Sequence, residues 1–154
     1  MKDAGLFLPD AAATERAGAA LAGCASLRDV RQIHLCGDLG AGKTTLVRGL
    51  LRALGHRGAV RSPTYTLLEP YEFSGLTVLH FDLYRVADPD ELEYLGVREQ
   101  SGDGNLWLVE WPERGAGWLP APDLVATLVA EGEGRRLRLS GPRSEQISRE
   151  MTDL

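Results

Sequence analysis

The 154-residue sequence predicts an α/β fold, a three-layer sandwich around a mixed, mostly parallel central sheet that carries antiparallel hairpins. The first observation is a strand, turn and helix pattern: an apolar run at 33–36, a glycine-rich segment at 37–45 and leucines at helical spacing over 46–54. The second is a pair of hairpin patterns, at 65–81 and 124–140. A purely parallel doubly wound sheet would not contain such hairpins, so we expect a mixed sheet.

The glycine-rich segment fits the phosphate-binding pattern of glycine, four free positions, then Gly-Lys-Ser/Thr. Its glycines let the backbone turn successive N–H groups inward, and the following helix adds its positive dipole end. Lys43 would place its charge on the β- and γ-phosphates, and the Thr44 hydroxyl would ligate Mg²⁺. We therefore predict a nucleotide site in a P-loop nucleotide hydrolase-like fold, with binding residues Gly37, Asp38, Leu39, Gly40, Ala41, Gly42, Lys43, Thr44 and Thr45.

Capping and turn residues set the boundaries of the other predicted elements. Asp10 is placed to N-cap a first helix with a small-residue face, and Gly55 to end the helix after the glycine-rich segment. Asp88 and Gly96 bracket a further helix. The predicted strands are at 6–8, 33–36, 65–73, 76–81, 106–109, 124–130 and 135–140. We expect one domain over residues 1–140 and a loose polar tail over 141–154.

Charge and composition narrow the class of protein. The net charge of −5 argues against bulk electrostatic binding to nucleic acid. The only basic stretch, Arg135 to Arg143, is interpreted as the solvated face of a strand rather than a tRNA-binding surface. No apolar run approaches the roughly 20 residues of a membrane span, and the N-terminus lacks a secretory signal. Cys24 and Cys36 are expected to be reduced packing residues, and the protein to be cytoplasmic.

Two acidic residues follow apolar strands and are candidates for hydrolytic chemistry. Hydrolysis requires a metal ligand and a group that orients water. Asp82 and Glu110 end predicted strands, and ligands of open α/β sheets lie at the carboxyl ends of strands. A carboxylate that ends a wholly apolar strand is costly without a cation, which favours a functional Glu110. Asp82 could instead pair with Arg85.

Other segments give weaker signals. The triplet Ser62-Pro63-Thr64 lies where a loop could reach the γ-phosphate, although such triplets are usually plain turns. An Asn-Lys-x-Asp segment is absent, which disfavours a GTPase, and no arginine finger is identifiable. These absences suggest a slow hydrolase whose activity a partner completes or uses. Trp107 is expected in the core, whereas Trp111 and Trp118 lie in predicted loops and are candidates for facing a partner.

Four separated segments together resemble the TsaE family, the bacterial ATPase of tRNA threonylcarbamoyladenosine biosynthesis. They are Gly-Asp-Leu-Gly-Ala-Gly-Lys-Thr-Thr (37–45), Ser-Pro-Thr-Tyr-Thr-Leu (62–67), His-Phe-Asp-Leu-Tyr-Arg (80–85) and Val-Glu-Trp-Pro-Glu (109–113). The glycine-rich motif alone is generic, whereas the set in this order is specific. The resemblance extends from Leu8 to about Leu139.

The resemblance implies a cytoplasmic ATPase that uses ATP and Mg²⁺. Its expected partner is a heterodimer of the threonylcarbamoyl-transferase subunit TsaD and its paralogue TsaB, which modifies tRNAs reading codons that begin with A. By resemblance, Lys43 holds the phosphates, Thr44 and Glu110 ligate Mg²⁺, and Asp82 orients or activates water. The implied supporting residues are Ser62, Pro63 and Thr64, as a nucleotide-sensing loop, and Trp111 beside the site.

Two other functions stay open from the sequence. A small-molecule kinase with the same phosphate-binding segment would move phosphate onto a metabolite rather than onto water. A nucleotide-dependent interaction module would bind without needing hydrolysis. The presence of both Asp82 and Glu110 favours the hydrolase over the module, because binding alone would not require two acids.

Overall fold

The computed structural model describes residues 5–63, 65–102 and 104–152. Within these ranges, seven strands form one sheet in the order β1-β7-β6-β2-β5-β4-β3. The strands are β1 (Leu6–Leu8), β2 (Gln32–Cys36), β3 (Leu68–Phe73), β4 (Leu76–Asp82), β5 (Asn105–Glu110), β6 (Leu124–Glu131) and β7 (Gly134–Ser140). The α-helices are α1 (Ala11–Ala22), α2 (Lys43–Ala53) and α3 (Ser144–Thr152), and 3₁₀ segments cover Ala25–Asp29, Pro89–Leu95, Arg98–Ser101 and Pro112–Gly115.

The sheet combines a parallel centre with antiparallel edges. Strands β6, β2, β5 and β4 are mutually parallel neighbours. Hairpins β6–β7 and β3–β4 add antiparallel strands on either side, and β1 pairs antiparallel with β7. The predicted mixed α/β sheet with a mostly parallel core is confirmed. All four carboxyl ends of the central strands therefore lie at one edge.

Two apolar clusters cover the two faces of the sheet. On one face, residues of β2, β5 and β6 such as Ile33, Leu108 and Ala126 share a cluster with α1 and α2. On the other face, Phe81 and Trp107 pack with the segments around Pro89–Leu95 and Pro112–Gly115. These three layers bury both sides of the parallel strands, as parallel sheets require.

Helices α1 and α2 approach each other through glycines. A Cβ added at Gly49 would lie 1.9 Å from the Glu15 carbonyl oxygen, and one at Gly18 would lie 2.1 Å from the Leu46 carbonyl oxygen. The backbones of the two helices are therefore in direct contact at these points. This contact confirms that the small-residue face of the first helix packs closely, and it fixes α2 over the sheet.

The predicted caps form. The Asp10 carboxylate accepts a 2.8 Å hydrogen bond from the Ala13 N–H at the start of α1. After α2, Gly55 has φ +113°, and the next N–H bonds back to the Leu51 carbonyl at 3.0 Å, which satisfies the helix end. Asp88 forms a capping box, although the segment it opens is a 3₁₀ helix ending at Gly96.

Three expectations are wrong. The strand predicted to begin at residue 65 begins at Leu68, because Leu67 has φ +69° and its N–H bonds to the Pro63 carbonyl in a turn. The tail is not loose from Gly141: helix α3 buries Ile147 completely. Trp118 is buried rather than partner-facing, and its ring stacks on Trp107 with centroids 5.7 Å apart.

Within the described ranges, none of the helices combines the length and the apolar character needed to cross a membrane.

Candidate functional site

The glycine-rich loop, residues 37–42, connects the carboxyl end of β2 to the first turn of α2. Gly42 is the N-cap residue of α2 and has φ +110°, a left-handed conformation that L side chains rarely adopt. A Cβ at Gly37 would lie 2.7 Å from the Leu128 carbonyl oxygen, so this position tolerates no side chain. The loop is thereby held against β6 with the N-terminal N–H groups of α2 pointing away from the helix, an arrangement that favours anions.

Lys43 is the first residue of α2 and folds back over the loop. Lys43 is only 5% exposed, and its Nζ donates a 2.5 Å hydrogen bond to the Gly37 carbonyl oxygen. The same Nζ lies 4.0 Å from the centroid of the Trp111 ring. The ammonium group is therefore close to the loop backbone and shielded from solvent on one side by an aromatic face.

Asp82 and Glu110 meet because β4 and β5 are parallel neighbours. The two residues are register partners at the carboxyl ends of their strands. Both residues are buried, with exposures of 5% for Asp82 and 3% for Glu110. The Asp82 carboxylate accepts 3.0 Å hydrogen bonds from the Ser62 hydroxyl and the Tyr84 N–H. The loop before β3 is thereby tied to the end of β4.

Glu110 joins a helix residue to a strand histidine. Its Oε2 lies 2.7 Å from the Nε2 of His80, which is fully buried on β4. The Thr44 hydroxyl donates to the same oxygen at 3.4 Å. Glu110 thus has a fixed orientation toward the first turn of α2.

These side chains line one cavity of about 350 Å³ at the carboxyl edge of the sheet. Most of the residues predicted from the sequence to form a site contribute to the wall, namely Leu39, Gly40, Gly42, Lys43, Thr44, Thr45, Ser62, Asp82, Glu110 and Trp111. Four predicted residues are not part of the cavity wall, namely Gly37, Asp38, Ala41 and Pro63. Thr64 lies outside the described residues. A larger cavity of about 570 Å³ lies between β1, α1, β7 and α3, but its wall is predominantly apolar.

The wall also contains residues that the sequence interpretation missed. The cavity is also lined by Tyr84, Arg85 and Arg135. His80 lies behind the wall and holds Glu110 by a hydrogen bond. A signal existed for Arg135, because alternation along β7 places it on the same face as the buried Leu137. A polar His80 two positions before Asp82 in an apolar strand was a comparable signal.

Trp111 forms one side of the cavity mouth in a left-handed conformation, with φ +56°. Its ring centroid lies 5.0 Å from that of Tyr84, and the Arg114 guanidinium lies 5.6 Å from the Tyr84 ring. A non-glycine residue at positive φ carries backbone strain that the surroundings must hold. Here the Lys43 and Tyr84 contacts hold the indole beside the glycine-rich loop.

Burial shifts the pKa values of two residues on β2. Burial raises the pKa of the Cys36 thiol, with a smaller contribution from the Glu113 carboxylate, and this cysteine is therefore a protonated thiol at neutral pH. Burial also lowers the pKa of His34. Neither residue lines the cavity, and both cysteines, Cys24 and Cys36, are free thiols.

The oxygen donors in the wall fit Mg²⁺. Thr44 Oγ1 and Glu110 Oε2 are 3.4 Å apart, near the roughly 3 Å between adjacent ligands of an octahedral ion with bonds of about 2.0–2.1 Å. In the described part of the chain, no three His, Cys, Asp or Glu side chains cluster as a metal site. Mg²⁺ suits such a sparse set, because it retains waters and takes substrate phosphates as ligands.

Comparison with known proteins identifies the family. Residues 8–138 match the family model described as "Threonylcarbamoyl adenosine biosynthesis protein TsaE". The match covers most of the chain and contains the whole cavity wall. The chain belongs to the TsaE family. Its family is therefore one of tRNA threonylcarbamoyladenosine biosynthesis proteins.

Individual TsaE relatives agree with this assignment. The Haemophilus influenzae protein is 49% identical over 107 residues, which is 70% of this chain and 68% of that protein. The Synechocystis protein is 45% identical over 113 residues, 70% of this chain and 69% of its own length. Both carry the name "tRNA threonylcarbamoyladenosine biosynthesis protein TsaE". The crystal structure of Bacillus subtilis YdiB matches with a TM-score of 0.74 and 27% identity, covering 99% of this chain and 95% of that one.

Proposed function

We propose that this TsaE-family protein binds ATP with Mg²⁺ in the 350 Å³ cavity and hydrolyses the terminal phosphate slowly. The observation that carries the proposal is that two buried carboxylates, Asp82 and Glu110, line the same cavity as the first turn of α2. Two buried carboxylates side by side repel each other even where hydrogen-bond donors hold them, and a cation relieves that repulsion. A magnesium-bound triphosphate would supply that cation.

The chain's own residues take distinct roles in this proposal. Lys43 would exchange its bond to the Gly37 carbonyl for the β- and γ-phosphate oxygens, with little movement because it already lies over the loop. Thr44 and Glu110 would hold Mg²⁺, which neutralises phosphate charge when bound. Asp82 would orient the attacking water, and its bond to Ser62 would connect that position to the 62–67 loop.

The biological setting follows from the family. Members are named for tRNA threonylcarbamoyladenosine biosynthesis, and we propose that ATP turnover serves a cytoplasmic tRNA-modifying assembly. The proposed partner is the TsaD–TsaB heterodimer, through which the protein meets tRNA only indirectly. The net charge of −5 agrees with an indirect role, because direct tRNA binding would favour a basic protein.

A phosphate-release assay tests the proposal. We expect slow Mg²⁺-dependent release of free phosphate from ATP by the isolated protein and a rise when the heterodimer is added. Lys43→Ala should lose nucleotide binding, measured by calorimetry, whereas Arg52→Ala, on the exposed end of the same helix, should bind normally. Absence of ATP binding by the wild-type protein would refute the proposal, and transfer of phosphate to an added metabolite would replace it with a kinase.

A further inference from the structure

Arg135 on β7 brings a further cation, besides Lys43 and Arg85, to the wall of the candidate site. A Cβ built on Gly42 would lie 3.0 Å from its Nη1 and 3.5 Å from its Cδ. The guanidinium group therefore lies directly beside Gly42, the N-cap residue of α2 that precedes Lys43. It comes from the β7 side of the loop, whereas Lys43 comes from the helix.

The hydrogen bonding of this arginine is incomplete. Its Nη1 donates to the Thr14 hydroxyl over 3.3 Å, near the upper limit for such a bond. Its Nε is buried and has no hydrogen-bond partner among the residues that the structure describes. Across the same residues, no carboxylate forms an ion pair with it. A guanidinium carries five N–H donors, so most of those of Arg135 lack a partner within the described residues.

The neighbouring arginines of β7 behave differently. Arg136 makes two 2.8 Å bonds to the Glu131 carboxylate, and Arg138 is exposed. Arg135 shares its strand face with the buried Leu137 instead. A cation held at an inward position without an anionic partner is unfavourable, and the cost is recovered when an anion binds.

We infer that Arg135 is a nucleotide-binding residue that donates to the diphosphate portion of the ligand. The inference rests on the function proposed above and adds a residue to it. The diphosphate is favoured over the γ-phosphate because the neighbours of Arg135 are Gly42 and Thr14, at the anion-binding start of α2. The proposed water-orienting position lies with Asp82 and Ser62, whereas the hydrogen bond of Arg135 goes to Thr14. Arg135 thus acts in binding and is not an arginine finger.

Calorimetric titration with ADP and with ATP tests the assignment. In Arg135→Gln, both dissociation constants should rise by the same factor, about tenfold or more, because a charge-assisted hydrogen bond is lost. The dissociation constants of Arg135→Lys should lie between those of the wild type and those of Arg135→Gln, since lysine keeps the charge but loses the planar fork. Arg138→Gln removes an exposed arginine from the same strand and should bind both nucleotides like the wild type. Unchanged melting temperatures without nucleotide would show that the variants fold.

The outcomes separate this inference from the proposed function. Normal ADP binding by Arg135→Gln, alongside lost binding in Lys43→Ala, would overturn the role of Arg135 and leave the nucleotide site standing. Weakened ATP binding with unchanged ADP binding would place Arg135 at the γ-phosphate and also overturn it. Failure of the wild-type protein to bind either nucleotide would remove both proposals.

Discussion

Asp82 and Glu110 stand opposite each other as register partners on the parallel strands β4 and β5, both almost completely buried. Each carboxylate is held by a different set of donors: Ser62 and the Tyr84 N–H for Asp82, His80 and Thr44 for Glu110. Two adjacent acids in such different surroundings are suited to different tasks. The first two predictions test the role of Glu110 and of its partner His80.

Glu110→Gln should retain nucleotide binding but lose Mg²⁺-dependent hydrolysis by roughly 100-fold or more, because an amide is a poor ligand for the ion that stabilises phosphate charge. The measurement is single-turnover phosphate release over a series of Mg²⁺ concentrations, with binding followed separately. Glu99→Gln alters an exposed acid outside the cavity wall and serves as the control. Unchanged turnover in Glu110→Gln would remove this residue from the mechanism.

His80→Ala should lower the free energy of unfolding by about 2–4 kcal/mol. The substitution leaves a cavity in the core and deprives the buried Glu110 carboxylate of its 2.7 Å partner. Urea denaturation measures the loss, with His56→Ala as the matched control on a more exposed histidine. If the double variant His80→Ala/Glu110→Gln were no more stable than the sum of the single losses predicts, the two side chains would not be energetically coupled.

Gly49→Ala should destabilise the protein by about 1–3 kcal/mol, even though alanine is the better helix former. The added methyl group would lie 1.9 Å from the Glu15 carbonyl oxygen, so α1 must move away from α2. Thermal or urea unfolding gives the measurement. Gly102→Ala adds a methyl group where nothing lies within 4 Å and should be close to neutral. Equal stability of the two variants would contradict the tight helix contact.

Glu150 should anchor α3 in a pH-dependent way. The Ser26 hydroxyl and backbone N–H bond to its carboxylate and hold its pKa below the ordinary value of 4.5. A carboxylate with a lowered folded-state pKa stabilises the fold above the unfolded pKa, and this contribution is lost as pH falls through the folded one. The protection factors of the backbone amides of residues 144–152, which correct for the pH dependence of intrinsic exchange, should therefore be high at pH 7 and fall as the pH drops through the folded-state pKa.

Glu150→Gln provides the control for that measurement. At pH 7 the α3 amides of the variant should have lower protection factors than those of the wild type. These protection factors should change little with pH, because the glutamine amide does not titrate in this range. A wild-type profile that the substitution leaves unchanged would show that Ile147, which is fully buried, anchors the helix without Glu150.

Local patterns were sufficient for much of the fold. The caps at Asp10, Gly55 and Asp88 and the turn at Ser74-Gly75 depend on neighbouring residues only, and they form as predicted. Helix α3 was not predicted because it has only two strongly apolar residues, Ile147 and Met151. Their burial depends on the apolar cluster they pack against, which the local sequence does not show. The same reason explains Trp118, whose burial depends on the distant Trp107.

The sequence by itself determined the mixed α/β class and the glycine-rich loop, because periodicity and a contiguous motif are local properties. The sequence also identified Asp82 and Glu110 as candidate site residues at strand ends, but it did not show that they lie side by side. Only the tertiary structure decided that Asp82 faces Glu110, that His80 supports it and that Arg135 reaches Gly42 from β7. Strand order and register create those contacts, and both depend on how the whole chain buries its two apolar clusters around one sheet.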